Sequence, residues 1–339
     1  MTVLFVSEHP HTQIGGIEKH ISHIGKILKL KGVEVHYLNA KELESFSLIS
    51  KGVISLDVIK DRLVKIDPDV VHVHGFSSFF ANQCLSITKK ILPDTRLIYT
   101  PHYHPFKYHK HPLLAYIFFH VFLERNLRNV DILIALTDPE KEFFAHYLDT
   151  GKIAVIPNGI DIVYTDFQKN KPPQKRILFV GRNDHNKRLD FLLEQKEYFR
   201  DHQIHCDIVT DSNMVSDDVF TYHSSLTHSE LADLYQNSSV LVIPSKYEAF
   251  SIVALEAMSF GVPVVLSDHV QIKSYLQDKG SFNKIFSYNN KSDFIEKLEA
   301  VLHMDSLQYQ QSSKENITLA KSFDWEVIVD RLLSIYKAQ

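Results

Sequence analysis

The stretch "SVLVIPSKYEAFSIVALEAMSFGVPVVLS", Ser239 to Ser267, contains a complete strand–helix–strand unit. "SVLVIPS" is a short apolar run rich in β-branched residues that ends at Pro244, which reads as a buried strand. "KYEAF" is a loop. Ser251 stands where an N-cap belongs, Gly261 where a left-handed terminator belongs, and Pro263 blocks continuation of the helix. "VPVVLS" is then a second buried strand. Apolar strands separated by helices indicate parallel sheets covered on both faces.

The same rhythm runs through the chain. "TVLFVS" precedes a helix from about Ile17 to Leu30, followed by "GVEVHYL", "DVVHVHG", "RLIYTPH" and "DILIAL". It restarts at "RILFVG" and continues through "HCDIVT", "SVLVIPS" and "VPVVLS". Between the two series lies "TDFQKNKPPQKR", Thr165–Arg176, charged and with two prolines, which reads as an interdomain linker. The expectation is an α/β protein of two Rossmann-like domains in tandem, divided at about residues 164 and 165. In such sheets ligands bind beyond the carboxyl ends of the strands.

The 339 residues exceed one ordinary core, and 44% apolar with 23% charged residues is a globular balance. A net charge of −4 gives no case for nucleic-acid binding. Through Thr165 there are 18 basic and 17 acidic residues, and after it 19 and 24. Cys84 and Cys206 lie far apart with no CxxC spacing, which suits a reducing compartment. "MTVLFVSEHP" has no basic region ahead of a long apolar run, so a cytoplasmic chain is expected. "LLAYIFFHVFL", Leu113–Leu123, is too short to span a bilayer; a buried helix is the preferred reading, peripheral membrane contact the alternative.

Glu248 falls outside the Ser251 helix at its N-terminal mouth, and Glu256 projects from inside it. The free amides of a first turn attract anions. A phosphate there, with a carboxylate on either side taking sugar hydroxyls, would explain both glutamates; plain surface carboxylates are the competing explanation. "LFVGRNDHNKRLD", Leu178–Asp190, ends a strand in Gly181 and offers Arg182, Lys187 and Arg188, cations suited to a diphosphate, against the simpler reading of a solvated loop.

Taken together, these segments resemble the retaining, nucleotide-sugar-dependent glycosyltransferases of family 4, which have the GT-B fold. "EAFSIVALEA" resembles the paired-glutamate motif of that family, "VGRNDHNKRLD" its Gly-Arg…Lys loop, and "IPNGID" (Ile156–Asp161) its domain junction. "GGIEKH" (Gly15–His20), "PDVVHVHG" and "TPHYH" resemble features of its first domain, and "SFDWEVIVDRLLSIYK" its closing helix. The resemblance covers essentially the whole chain in order.

It implies an acceptor-binding domain of residues 1–164, with a helix of about 323–339 packing back on it, and a donor-binding domain of residues 165–322. It further implies that Arg182 and Lys187 neutralise the donor diphosphate and that Glu256 holds the ribose. Glu248 would bind donor-sugar hydroxyls, with the amides of Phe250, Ser251 and Ile252. His102 would contact the transferred sugar, and Gly15 and Gly16 would let the first loop approach the phosphates. The implied partners are a nucleotide-sugar donor and a saccharide or lipid-linked acceptor, with no nucleic acid and no cofactor or metal.

Retention normally suggests a carboxylate nucleophile, but the family places the matching glutamate on ring hydroxyls. Front-face displacement is therefore expected. Ala249 and Ser251 stand where the family often has glycine, and a Cβ at Ser251 narrows the approach to the donor sugar. "HYHPFKYHKH" carries His102, His104, His109 and His111 without an interleaved carboxylate or cysteine, and "DPD" at Asp67–Asp69 precedes a strand, so neither reads as a metal site. His72 and His74 share a strand face, His74 being either a cleft residue or a core histidine. The remaining alternatives are a nucleotide-sugar epimerase of the same fold and a non-catalytic nucleotide-sugar-binding subunit. No G-x-G-x-x-G follows a strand, which argues against a dehydrogenase.

Overall fold

"VLFV" (Val3–Val6) and "VLVI" (Val240–Ile243) are apolar on both faces of the pleat, so neither strand can leave a face in water. In a computed structural model of the chain both are fully buried. The structure describes residues 1–12, 16–49, 53–76, 78–103, 105, 111–162, 175–212, 214–276 and 282–338. Gly15, His104, His109 and most of the expected linker lie outside the described residues.

The chain divides into two compact units. Met1–Gly159 with Trp325–Gln339 form one, and Ile160–Asp324 the other. The first unit contains strands β1 (Thr2–Ser7), β2 (Glu34–Asn39), β3 (Ser47–Ile49), β4 (Val53–Ile54), β5 (Val70–His74), β6 (Arg96–Thr100), β7 (Ile132–Ala135) and β8 (Ile153–Val155). Its main sheet is parallel throughout, in the order β2-β1-β5-β6-β7-β8, while β3 and β4 form a separate antiparallel pair.

The second unit contains β9 (Arg176–Val180), β10 (His205–Val209), β11 (Phe220–His223), β12 (Val240–Ile243), β13 (Val264–Ser267) and β14 (Lys284–Phe286). These form one parallel sheet in the order β11-β10-β9-β12-β13-β14. Both sheets are doubly wound, and their strand order reverses beside the first strand of each unit. That puts one switch point between β1 and β5 and another between β9 and β12.

The last helix, Trp325–Lys337, belongs to the first unit and is tied to its sheet by two polar contacts. Tyr336 Oη lies 2.6 Å from His72 Nδ1, and Arg331 donates to the Val155 carbonyl at 2.8 Å. The other ring nitrogen of His72 lies 2.7 Å from Thr100 Oγ1, so this fully buried imidazole is a structural tie.

One expectation is corrected. Leu113–Leu123 is not a buried helix. Phe118, Phe119 and Leu123 pack inward, whereas Leu113, Leu114, Ile117, Val121 and Phe122 are exposed. A single helix resting on a core can bury only one stripe, and this sequence is apolar on more than one stripe.

Gly261 ends its helix at φ +72°, and a Cβ there would lie 1.9 Å from Ser313 Oγ. Gly261→Ala is therefore expected to lower the unfolding free energy by at least about 2 kcal/mol, from left-handed strain plus displacement of Ser313. Urea titration of both proteins measures this; a loss within error would show that the turn relaxes freely.

Candidate functional site

In the second unit, β9 and β12 deliver two loops to the same switch point. Asp184 Oδ1 accepts from the amides of Asn186 and Lys187, at 3.0 and 2.9 Å, and so folds the first loop on itself. Two hydrogen bonds then join that loop to the second. Lys246 N donates to the Asn186 carbonyl at 2.7 Å, and Asn186 Nδ2 donates to the Tyr247 carbonyl at 2.9 Å. The backbone of Glu248 is pinned in turn by a bridge to Val270.

These contacts bring Lys187 and Glu248 together. Lys187 Nζ donates to Glu248 Oε1 at 2.9 Å, and Ser245 Oγ donates to the same oxygen at 2.5 Å. The carboxylate is buried and carries one cation and one hydroxyl. Arg182 stands apart from this pair. Its side chain is 72% exposed and meets Asp184 at 3.0 Å. Arg188 turns elsewhere, to Asp190, Tyr288 and Asn289.

The helix Ile252–Ser259 follows Glu248, as the sequence indicates. Ser251 occupies the N-cap position without capping: among the described residues its buried hydroxyl has no hydrogen-bond partner. The Phe250 ring packs on Tyr275 and Phe323. Glu256 Oε2 accepts from Tyr235 Oη at 3.0 Å, which orients the carboxylate from the helix His228–Asn237.

In the first unit His102 follows β6 with φ +52°, a left-handed conformation uncommon outside glycine. Its Nε2 lies 3.1 Å from His74 Nδ1, and the His20 ring meets both imidazoles edge-on at 5.1 and 5.6 Å. One ring nitrogen from each of His20, His74 and His102 lies within 4.8 Å of the other two; these are the described residues that could hold a metal ion. Sequence reading weighed His102 with His104, His109 and His111 instead. The partners that the fold supplies come from a helix and a different strand.

Gly16 begins the first helix, Gly16–Leu30, and a Cβ on it would meet nothing within 4 Å. Among the described residues nothing demands a glycine there.

Sequence reading missed Glu140. Its carboxylate is buried and accepts from Tyr103 N at 2.9 Å and Leu136 N at 2.6 Å. Tyr103 also stacks on Phe143, with ring centroids 4.1 Å apart. The helix Asp138–Phe144 thus holds the strained turn at His102 by two contacts. A buried acid five positions after β7 leaves no periodic signal, because a glutamate near a helix start reads as an ordinary dipole partner.

Two family models match the chain. Residues 14–164 match the one described as Glycosyltransferase Family 4, and residues 164–318 the one described as Glycosyl transferases group 1. A GDP-mannose:cellobiosyl-diphosphopolyprenol alpha-mannosyltransferase of Xanthomonas campestris is 24% identical over 285 residues, covering 80% of this chain and 74% of its own. A D-inositol 3-phosphate glycosyltransferase of Paenarthrobacter aurescens is 28% identical over 233 residues, covering 60% and 57%. The structure of sucrose-phosphate synthase from Thermosynechococcus elongatus superposes with a TM-score of 0.74 at 17% identity, over 99% of this chain and 98% of that one. The fold is that of the GT-B glycosyltransferases, two Rossmann-like α/β units. The chain belongs to glycosyltransferase family 4, and it is a glycosyltransferase.

Lys187→Met is expected to cost roughly 3 kcal/mol, because Glu248 would remain buried without its cation. Arg182→Ala should change stability by less than about 0.5 kcal/mol, since it removes only an exposed pair. Chemical denaturation distinguishes the two; equal losses would contradict this division of roles.

The titratable groups of the first unit oppose one another. Burial pushes His20 down to about 4, with Asn158 working the other way, and pushes His72 and His74 well below the ordinary 6.5. Stability from such groups is present above pH 6.5 and lost as pH falls through the depressed value. Burial pushes Glu140 up to about 7, against the two amides that hydrogen-bond it. Its contribution is present below the ordinary carboxyl value and lost as pH rises through 7. Three histidines outweigh one glutamate, and His20 alone is worth about 3 kcal/mol. Unfolding free energy should therefore fall between pH 6.5 and 4.5, and Glu140→Gln should make that fall steeper. Denaturation at several pH values tests this, and a gentler slope in the variant would refute it.

Proposed function

We propose that the chain transfers a hexose, with retention of anomeric configuration, from a UDP- or GDP-linked donor to a hydroxyl of a saccharide or lipid-linked acceptor. The observation that carries this reading is the Lys187–Glu248 pair at the carboxyl ends of β9 and β12, where a doubly wound sheet takes a nucleotide ligand. Lys187 and the exposed Arg182 meet the diphosphate. Glu248, already oriented by Ser245, takes hydroxyls of the donor sugar, and Glu256 takes the ribose. The amides of Phe250, Ser251 and Ile252 add donors at the helix start. We assign His102 to the transferred sugar and Gly15–Gly16 to the approach of the first loop, following the motifs they match.

The reaction breaks the bond from the anomeric carbon to the phosphate oxygen and forms one to the acceptor oxygen on the same face. The acceptor proton passes to the departing phosphate oxygen. Charge accumulates on that phosphate, and Arg182 and Lys187 lie on the loop that would meet it. No metal is required, because two cations supply the electrostatic stabilisation, each worth roughly 3 kcal/mol in the transition state. The donor and acceptor named for the Xanthomonas relative, GDP-mannose and a diphosphopolyprenol-linked sugar, support including GDP and a lipid-linked acceptor among the candidates.

A thermal-shift series with UDP, GDP, ADP, CMP and NAD, on the natural chain and on Arg182→Ala, tests the reading. One nucleoside diphosphate at a hundred times its Kd should add about 2.7 kcal/mol of stability, and much of this should vanish in the variant. A shift with NAD, or with no diphosphate, would overturn it. A diphosphate shift without transfer to any acceptor would favour a non-catalytic binding subunit.

A further inference from the structure

Fourteen large apolar side chains are exposed among the described residues, and six of them fall between Leu113 and Phe122. A seventh, Phe79, packs its ring on Phe118 and Phe122, at 4.9 and 5.7 Å. Half of these exposed apolar side chains are therefore gathered on one helical segment and its neighbour. Isolated exposed leucines need no explanation, but a contiguous patch does. Leu113 and Leu114 are 70% and 63% exposed, more than a helix resting on a core requires.

The segment is helical from Pro112 to Leu127, with a π-helical turn at Phe119–Leu123. Phe118, Phe119, Leu123 and Leu127 hold it to the unit. On the outward side Leu114, Ile117 and Val121 follow one another at helical spacing, and Arg125 and Arg128 continue the same row, both exposed. The one acidic residue between His111 and Arg128 is Glu124, and it is engaged by His120 at 2.7 Å. The row is thus apolar at one end and cationic at the other, with its single acid occupied.

We propose that this face docks on the surface of an anionic lipid bilayer, with Leu113, Leu114, Ile117, Val121, Phe122 and Phe79 entering the acyl boundary and Arg125 and Arg128 meeting lipid phosphates. The charge pattern selects this occupant: an apolar surface bordered by arginines matches the layered chemistry of a bilayer, apolar beneath and anionic above. No described helix is long and apolar enough to cross a membrane, so the contact is peripheral. The docking goes beyond the reaction proposed above and stands on surface composition alone.

Flotation of the full chain with vesicles provides the test. The chain should float with vesicles of phosphatidylcholine and phosphatidylglycerol, and less with phosphatidylcholine alone. Leu114→Gln with Ile117→Gln should lower partitioning at least tenfold on both compositions. Arg125→Ala and Arg128→Ala should each cost roughly fivefold on the anionic vesicles alone. The nucleotide-dependent thermal shift, measured on the same samples, should survive all four substitutions, which separates failure of docking from misfolding and from failure of the donor assignment. A chain that ignores both vesicle types, or variants that float like the natural chain, would overturn the proposal. So would a concentration-dependent dimer in sedimentation that Leu114→Gln abolishes in the absence of vesicle binding, since the face would then be a self-association surface.

Discussion

In a parallel sheet every strand runs the same way, so every carboxyl end opens on one edge. The second unit exploits this at the one position where the winding reverses. Its chain leaves β9 toward one side of the sheet and β12 toward the other, so no crossover helix covers the gap between their loops. The Asn186 and Lys246 bonds then lock the two loops together, and residues 61 positions apart become a fixed pair. Without the shared edge there would be no route to the Lys187–Glu248 contact. Without the loop–loop bonds, two long side chains would have to lose their rotamer freedom for one ion pair, which on a surface contributes little.

Burial then divides the charges by purpose. Glu248 is removed from water and must be compensated inside the fold, which Lys187 and Ser245 do through a single oxygen. Its second oxygen has lone pairs to offer. Arg182 remains in water, paired with Asp184 and within electrostatic reach of Asp211, so folding asks little of it. One cation of the loop thus belongs to the fold, and another is left in water.

Much of this was legible in the sequence, and the reasons differ residue by residue. The inner strands announce themselves because a strand covered on both faces must be largely apolar; β1, β9, β12 and β13 carry such runs, and β5 does so apart from His72 and His74. The outer strands β8, β11 and β14 are short and only partly buried, so "IAV", "FTYH" and "KIF" carry too few apolar positions to separate from loop. Glu248 and Glu256 stand out in the sequence because a carboxylate at a helix mouth is conspicuous against apolar neighbours. Glu140 was missed because its significance lies in whose amides it accepts. Ser251 shows the limit of a positional rule: the cap residue is in place and the cap bond is not made. The buried reading of the helix after Pro112 fails because apolarity on every side fits a fully buried helix and a half-exposed one equally well, and only the packing of Phe118 and Leu123 shows which side is covered.

The two switch points share a topology and differ in chemistry. That of the second unit gathers full charges. That of the first gathers imidazoles, and burial holds His20 and His74 neutral at ordinary pH. Neutral imidazoles each offer one donor and one acceptor, while a lysine or arginine offers only donors. A surface of this kind attracts no phosphate by charge, but it suits hydroxyl groups, which also both give and take a hydrogen bond. Glu140 serves that surface from behind. By accepting the Tyr103 amide it keeps His102 in a backbone conformation that the residue would not choose, and the 3.1 Å approach to His74 follows from that turn. The same doubly wound sheet can therefore gather full charges at one reversal and neutral imidazoles at another, and what decides between them is whether the side chains there keep their charge or lose it to burial.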